Sequence, residues 1–260
     1  MAKVIAIINQ KGGVGKTTTA VNLSALLGAM EQRVLMIDLD PQGNTTSGLG
    51  MEVDDKSIYE VIMGRMKLTD VMEETEFKNL SIAGSDVRLA NAELELVEVE
   101  KREYRLKTAV QSVQQDFDFI FIDCPPSLGL LTINALGAAD SVLIPIQCEY
   151  YALEGVASLM NTISRVKKTI NPHLEIEGVL LTMLDGRTNL GLQVVDEVKK
   201  HFKKQVYATV IPRSVRLGEA PSHGEPIHVY DKRSAGCVAY VNLAKEVLKR
   251  NNIKVKEFKL

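Results

Sequence analysis

Short runs of apolar residues alternate with longer amphipathic stretches along the whole chain of 260 residues. The runs are rich in Val and Ile, which favour strands, while the stretches repeat apolar positions at helical spacing. Strands are predicted at 4–8, 33–40, 80–83, 117–123, 141–146, 174–183 and 206–211, and helices at 20–27, 151–169, 189–204 and 234–249. Buried strands that alternate with helices are typical of a parallel sheet. We therefore predict a single α/β domain over residues 1–260, with a mostly parallel sheet and helices on both of its faces.

Four segments between these elements show no clear period. Residues 52–76 are polar, and short helical pieces are predicted near 58–63. Residues 88–115 are strongly charged and carry a broken apolar stripe, which predicts one long amphipathic helix or two. Residues 41–46 and 212–233 contain Pro and Gly, so both are predicted to be loops, the second with room for one helical turn.

The first predicted strand runs into a glycine-rich stretch, NQKGGVGKTTT at 9–19, and a helical pattern follows. A strand, a glycine loop and a helix in this order indicate a phosphate-binding loop. Its backbone N–H groups and the helix N-terminus suit polyphosphate oxygens. Lys16 would add a positive charge at the β- and γ-phosphates, and the Thr17 hydroxyl would be a ligand for Mg²⁺. The nucleotide-binding residues predicted in this loop are Lys11, Gly12, Gly13, Val14, Gly15, Lys16, Thr17 and Thr18.

Two further predicted strands end in aspartate. Asp123 fits the carboxylate of a Walker B motif, which would hold Mg²⁺ directly or through its water and would orient Thr17. The alternative is that Asp123 caps a helix. Asp38 and Asp40 lie two residues apart, so both project to one face of their strand. Like charges beside a phosphate site are costly unless they are used, so we expect this pair to handle Mg²⁺ and the attacking water; a turn made by Asp40 and Pro41 is the alternative.

Composition limits the classes of function. The formal net charge is −2, so binding of nucleic acid must come from a local basic patch. No run of about 18 apolar residues occurs, so no integral membrane segment is expected, and the N-terminus enters a strand without a secretory signal. Cys124, Cys148 and Cys237 are far apart, which favours buried reduced thiols in a cytoplasmic protein.

The glycine loop departs from the usual spacing in a way that resembles a known family. Gln10 stands where a glycine is expected, and Lys11 begins the sequence KGGVGKT. This form resembles the deviant Walker A loop of the ParA/MinD group of P-loop ATPases. The resemblance implies a P-loop NTPase fold, ATP with Mg²⁺ as cofactors, and a homodimer in which Lys11 reaches across to the partner's ATP. In that family the aspartate that matches Asp40 is tied to hydrolysis.

A second resemblance lies near the C-terminus. Residues 211–224 resemble a loop of ParA/Soj partitioning proteins whose start lines the adenine pocket, which implies adenine contacts from Pro212 and Ser214. Arg187 and Arg216 match positions where Soj-like proteins bind DNA through phosphates, without sequence preference. The family resemblance thus implies a nucleoid-associated ATPase. It would bind nonspecific DNA as an ATP dimer and leave when a ParB-like activator stimulates hydrolysis.

Two other functions remain open from the sequence. A MinD-like membrane-cycling ATPase would end in a basic helix with an apolar face, whereas Asn251 and Asn252 interrupt the pattern here. A metabolic enzyme that resembles dethiobiotin synthetase would need a pocket for a small substrate, and the sequence shows no signal for one. The principal prediction is therefore an ATPase of the partitioning type.

Overall fold

An eight-stranded sheet forms the centre of the computed structural model, which describes residues 1–149, 155–255 and 258. The strand order is β3-β4-β2-β5-β1-β6-β7-β8. The strands are β1 Lys3–Ile7, β2 Val34–Asp38, β3 Met72–Glu74, β4 Leu80–Ala83, β5 Phe119–Asp123, β6 Ser141–Gln147, β7 Glu175–Leu184 and β8 Val206–Pro212. All described pairings are parallel except that of β3 with β4, which is antiparallel. The prediction of a mostly parallel sheet is confirmed.

Helices cover both faces of this sheet. They are α1 Lys16–Ala29, α2 Asn44–Gly48, α3 Ile58–Ile62, α4 Leu68–Val71, α5 Ala92–Glu95, α6 Arg105–Gln111, α7 Leu130–Ala138, α8 Val156–Thr169, α9 Asn189–Phe202, α10 Val215–Glu219, α11 Ile227–Tyr230 and α12 Ala235–Arg250. Short 3₁₀ turns lie at Val87–Asn91, Arg102–Tyr104, Lys203–Gln205 and Ala220–His223. The predicted helix 151–169 is observed from Val156, and its residues 151–154 lie outside the described part of the chain.

The core has two halves because successive side chains of a strand point to opposite faces. Val4 and Ala6 of β1 lie in the half that α3, α6, α7, α8 and α9 cover. Ile5 and Ile7 of the same strand lie in the half covered by α1 and α12. Helices on both faces explain why the central strands are apolar throughout, as the sequence pattern indicated.

The prediction of one or two long helices over 88–115 is wrong. Leu89 and Leu106 are fully buried, but Leu94 and Val97 are largely exposed, so the apolar stripe does not face one partner surface. The helical conformation is interrupted at Lys101, whose φ of 54° is left-handed. Arg102 donates side-chain hydrogen bonds to the Leu96 and Val97 carbonyls. Two short helices and two 3₁₀ turns result.

Two segments predicted as loops are partly helical. Helix α2 begins inside 41–46, and 212–233 contains α10, α11 and a 3₁₀ turn. Strand β3, within 52–76, was not expected from its polar sequence; it pairs with the edge of β4. Strand β2 ends at Asp38 rather than Asp40, because the Asp40 N–H turns to donate to the Asp38 Oδ1 at 3.1 Å.

The chain just after α2 closely approaches the segment after α10 at two glycines. Gly50 and Gly224 both have left-handed φ values, 69° and 65°, which suit glycine. A Cβ placed on Gly224 would lie 2.6 Å from the Gly50 Cα. Neither glycine can therefore carry a side chain without moving the two segments apart.

The C-terminal helix stops where the sequence predicts. Helix α12 ends at Arg250, and Asn252 has a left-handed φ of 59°. Cys124, Cys148 and Cys237 are buried and unpaired, as expected. Across the described ranges, none of the helices combines the length and the apolar character needed to cross a membrane.

Candidate nucleotide-binding site

The glycine loop joins β1 to α1, so the predicted order of strand, loop and helix is confirmed. Gly13 and Gly15 have left-handed φ values of 71° and 89°, a conformation that other residues rarely adopt. The loop is anchored to neighbouring strands at both ends. The Asn9 side chain donates to the Pro145 carbonyl at 2.7 Å, and the Thr182 hydroxyl donates to the Val14 carbonyl at 2.8 Å. The result is a fixed loop at the N-terminus of a helix, which suits phosphate.

Lys16 lies inside this loop, with only 6% of its surface exposed. Its Nζ donates to the Lys11 carbonyl at 3.3 Å. Burial lowers the pKa of Lys16, while the charges of Asp123 and Asp40 act in the opposite direction. Lys11 itself is half-buried, and its ammonium forms no ion pair with any described residue. One lysine thus lies within the loop, and the other is available at its entrance.

The carboxylates of Asp38 and Asp123 lie side by side, because the two residues are register partners on β2 and β5. Both are fully buried. Burial, and then the charge of Asp38, raises the pKa of Asp123 to about 7. Burial also raises the pKa of Asp38 to about 6, although hydrogen bonds from Thr46 oppose this shift. The sequence pattern pairs Asp38 with Asp40, whereas in the structure the neighbouring carboxylate on the adjacent strand is that of Asp123.

Asp123 has one oxygen bonded and one free. Its Oδ2 accepts hydrogen bonds from the hydroxyls of Thr17, at 2.8 Å, and Thr45, at 2.7 Å. Its Oδ1 is buried and has no partner among the described residues. A buried, unpaired carboxylate oxygen beside a threonine hydroxyl fits a hard divalent cation such as Mg²⁺. Asp123 is not a helix cap, since α7 begins only at Leu130 with Gly129 as its N-cap.

Both carboxylate oxygens of Asp38 accept hydrogen bonds from residues that follow it closely in sequence. Its Oδ2 accepts from the backbone N–H of Thr46 at 2.9 Å and from the Thr46 hydroxyl at 2.8 Å, and its Oδ1 accepts from the Asp40 N–H. Asp40 is 8% exposed, and its Oδ1 accepts from the Gln42 N–H at 3.0 Å. Asp40 therefore does build a turn, and it also lies close enough to act on the charge of Lys16.

A cavity of about 210 Å³ continues from the glycine loop toward the C-terminal segment. Gly15 and Thr18 form one wall, and Pro212 and Ser214 belong to the other. The remaining lining residues are Thr182, Met183, Ile211, Arg213, Leu217, Gly218 and Tyr240. The structure thus brings both predicted adenine contacts next to the predicted phosphate loop, as one continuous cleft requires.

The two arginines of the predicted DNA surface are exposed but paired. The Arg187 side chain is 89% exposed and forms an ion pair with Asp185 at 2.7 Å, and its hydrogen bonds lower the pKa of that carboxyl. The Arg216 side chain is 55% exposed and pairs with Glu219 at 2.8 Å and with Asp231 at 3.5 Å. Both guanidinium groups are open to solvent, so each can exchange its carboxylate partners for a phosphate, which also accepts charge-assisted hydrogen bonds.

Several polar residues of the site were missed from the sequence. The sequence pattern predicts only a loop at Thr45 and Thr46, and it indicates no role for Asn9 or Thr182. A signal existed for the latter two, because both lie at carboxyl ends of parallel strands beside the glycine loop. No local pattern pointed to the two threonines of α2.

Comparison with known proteins agrees with this geometry. A family model described as an AAA domain matches residues 2–176. The sporulation initiation inhibitor protein Soj of Bacillus subtilis is 59% identical, over 95% of this chain and 98% of its own. The chromosome partitioning protein ParA of Myxococcus xanthus is 51% identical, over 98% and 90%. A crystal structure of cobyrinic acid a,c-diamide synthase from Mycobacterium smegmatis with bound ADP and magnesium is 37% identical, with a TM-score of 0.85 over 100% of both chains. The chain therefore belongs to the ParA/Soj family of chromosome-partitioning ATPases.

Proposed function

We propose that this ATPase acts as a nucleotide-controlled DNA-binding switch. It binds ATP and Mg²⁺ in the cleft between the glycine loop and residues 212–214, forms an ATP-sandwich homodimer and binds DNA without sequence preference. A ParB-like protein stimulates ATP hydrolysis, and hydrolysis releases the ATPase from the nucleoid into the cytoplasm. The observation that carries the proposal is the unpaired Oδ1 of Asp123, which lies beside Thr17 at the end of the glycine loop. That loop opens onto a cavity lined by Pro212 and Ser214.

The donor set suits the proposed cofactors. The Thr17 hydroxyl and the Asp123 carboxylate are oxygen ligands of the kind that Mg²⁺ prefers, and Mg²⁺ would neutralise charge on the phosphates. Lys16 would hold phosphate oxygens from within the loop, and Asp40 would orient the attacking water. Asp38 and Asp123 are fully buried, so bulk water does not compete for their carboxylate oxygens.

Lys11 should control dimerisation more than nucleotide binding by the monomer. Its side chain lies at the loop entrance without an ion pair to any residue in the described ranges, so its charge is available to the ATP of a second subunit. We expect Lys11→Ala to bind ATP as the parent does but to stay monomeric in light scattering with ATP. An ATP-dependent dimer of parental strength would contradict the role of Lys11.

DNA binding should require ATP and should fall steeply with salt, because it rests on phosphate contacts. Arg187→Glu combined with Arg216→Glu is expected to abolish it and to leave the ATP dimer intact. The matched control is Arg33→Glu combined with Lys78→Glu. Those cations are also exposed and paired, but they lie at the amino ends of β2 and β4.

The measurement is a DNA-binding titration with ATP at several salt concentrations, beside light scattering. The control variant changes the net charge by the same amount but keeps Arg187 and Arg216. It should therefore bind DNA as the parent does. Parental DNA binding by the Arg187 and Arg216 variant at low salt would place the DNA surface elsewhere. Loss of binding in both variants would show that net charge, rather than this patch, governs the interaction.

A further inference from the structure

We infer that the adjacent threonines Thr45 and Thr46, at the start of α2, are positioning residues with separate tasks. Thr45 orients Asp123 toward Mg²⁺, and Thr46 holds Asp38 so that Asp40 is placed for hydrolysis. The inference rests on the proposed function of the site, and it adds two residues that act through their neighbours.

Thr45 determines which oxygen of Asp123 is left free. Thr45 is fully buried, and its hydroxyl donates to the Asp123 Oδ2 at 2.7 Å. Thr17 donates to that same oxygen at 2.8 Å, so both hydroxyl donors lie on one side of the carboxylate. The Oδ1 is consequently the oxygen without a donor. Without the Thr45 hydroxyl, one donor alone would hold the carboxylate, and it could rotate away from the metal position.

Thr46 links a different carboxylate to a different strand. Its N–H and its hydroxyl both donate to the Asp38 Oδ2, at 2.9 and 2.8 Å. Its hydroxyl oxygen also accepts from the Ser85 N–H at 3.0 Å, which ties it to the chain beyond β4. Asp38 in turn accepts the Asp40 N–H through its other oxygen. A continuous series of hydrogen bonds therefore runs from Ser85 through Thr46 and Asp38 to the backbone of Asp40.

The separation of tasks follows from where α2 begins. Asp38 and Asp123 are register partners on adjacent strands, and the helix starts beside both. Gly43 precedes it with a left-handed φ of 63°, and a Cβ there would lie 3.3 Å from the Ser85 carbonyl oxygen. Consecutive helical side chains point about 100° apart, so two neighbouring residues can serve two carboxylates.

Isosteric removal of each hydroxyl tests the inference. Thr45→Val should raise the Mg²⁺ concentration needed for half-maximal binding of a fluorescent ATP analogue by about 10- to 100-fold, as loss of an outer-shell partner does. Its affinity for the analogue without Mg²⁺ should stay parental. Thr46→Val should leave the Mg²⁺ titration unchanged and slow single-turnover ATP hydrolysis by roughly 10- to 100-fold, because a small misplacement has an effect of that order. Hydrolysis is measured at saturating Mg²⁺ for each variant, where Thr45→Val should match the parent.

Conservative variants and a remote control separate positioning from general destabilisation. Thr45→Ser and Thr46→Ser keep the hydroxyls and should each restore the affected readout. Ser141→Ala removes a comparable buried hydroxyl bond, to the Glu177 carboxylate at 2.7 Å, at the amino end of β6, and should change neither readout. If a valine variant does not fold by circular dichroism, the alanine variant at the same position takes its place.

The crossed pattern, with each variant affecting one readout, supports the inference. It is overturned if either variant changes both readouts, if neither changes any, or if the serine variants fail to restore them. The proposed function fails separately, if the parent chain itself neither binds the ATP analogue with Mg²⁺ nor hydrolyses ATP.

Discussion

Asp40→Asn is expected to slow single-turnover ATP hydrolysis roughly 10²–10⁴-fold, the contribution typical of one acid–base or water-positioning group. ATP should bind at least as tightly as it does to the parent, because a buried negative charge near the phosphates is removed. The asparagine Oδ1 can still accept the Gln42 N–H, so the turn that begins at Asp40 is retained. The expected loss is therefore one of chemistry and not of local structure.

Asp40→Asn should also be trapped on DNA, since in the proposed cycle only hydrolysis releases the dimer. DNA release after ATP washout, measured beside hydrolysis, tests this. Asp40→Ala is the companion variant, because it removes both the charge and the acceptor of the Gln42 N–H. Hydrolysis at the parental rate in the asparagine variant, or an inability to dimerise, would overturn the assignment of Asp40. If hydrolysis is slow in Asp40→Ala but not in Asp40→Asn, the role of Asp40 is to form the turn and not to act in hydrolysis.

Lys16→Ala is expected to weaken ATP binding more than tenfold. Lys16 is the buried cation of the glycine loop, and a hydrogen bond between charged groups contributes roughly 1.5–3 kcal/mol. Each factor of ten in affinity corresponds to about 1.4 kcal/mol. Isothermal titration calorimetry with ATP and Mg²⁺ gives the dissociation constant directly.

Lys3→Ala is the matched control for this variant. Lys3 is partly buried at the opposite end of β1, where it pairs with Glu177 at 3.6 Å. It should retain parental affinity, and melting temperatures of both variants show whether the fold is intact. Equal affinities in Lys16→Ala and the parent would remove Lys16 from the phosphate site.

The parts of the site that follow from the sequence are those fixed by strand ends. Parallel strands bring their carboxyl ends to one edge, so Asp38 and Asp123 could be expected near each other, and the structure makes them register partners. The glycine loop is equally local: its glycines lie between a strand and a helix that both have clear periods. These features need only near neighbours along the chain or along the sheet.

The parts that could not be predicted depend on contacts between distant residues. Helix α2 has the sequence NTTSG, which is polar and too short to show a period. It begins after Gly43, which packs closely against the backbone of Ser85. Ser85 is remote in sequence, so the directions of Thr45 and Thr46 could not be read from the local sequence. The same reason explains why the long helices predicted over 88–115 are not observed: the apolar residues there do not share one buried face.

The contact of Gly50 with Gly224 joins the chain just after α2 to the chain that follows α10. Side chains usually absorb small displacements by changing rotamer, but two backbones in contact have no such freedom. Helix α2 touches the carboxylates at one end and this contact at the other, and the segment beyond the contact carries Ser214 and Arg216. Thermodynamic linkage then requires reciprocity. If a bound nucleotide changes, through α2, the affinity for a ligand at Arg216, then binding of that ligand changes the affinity for the nucleotide by the same factor.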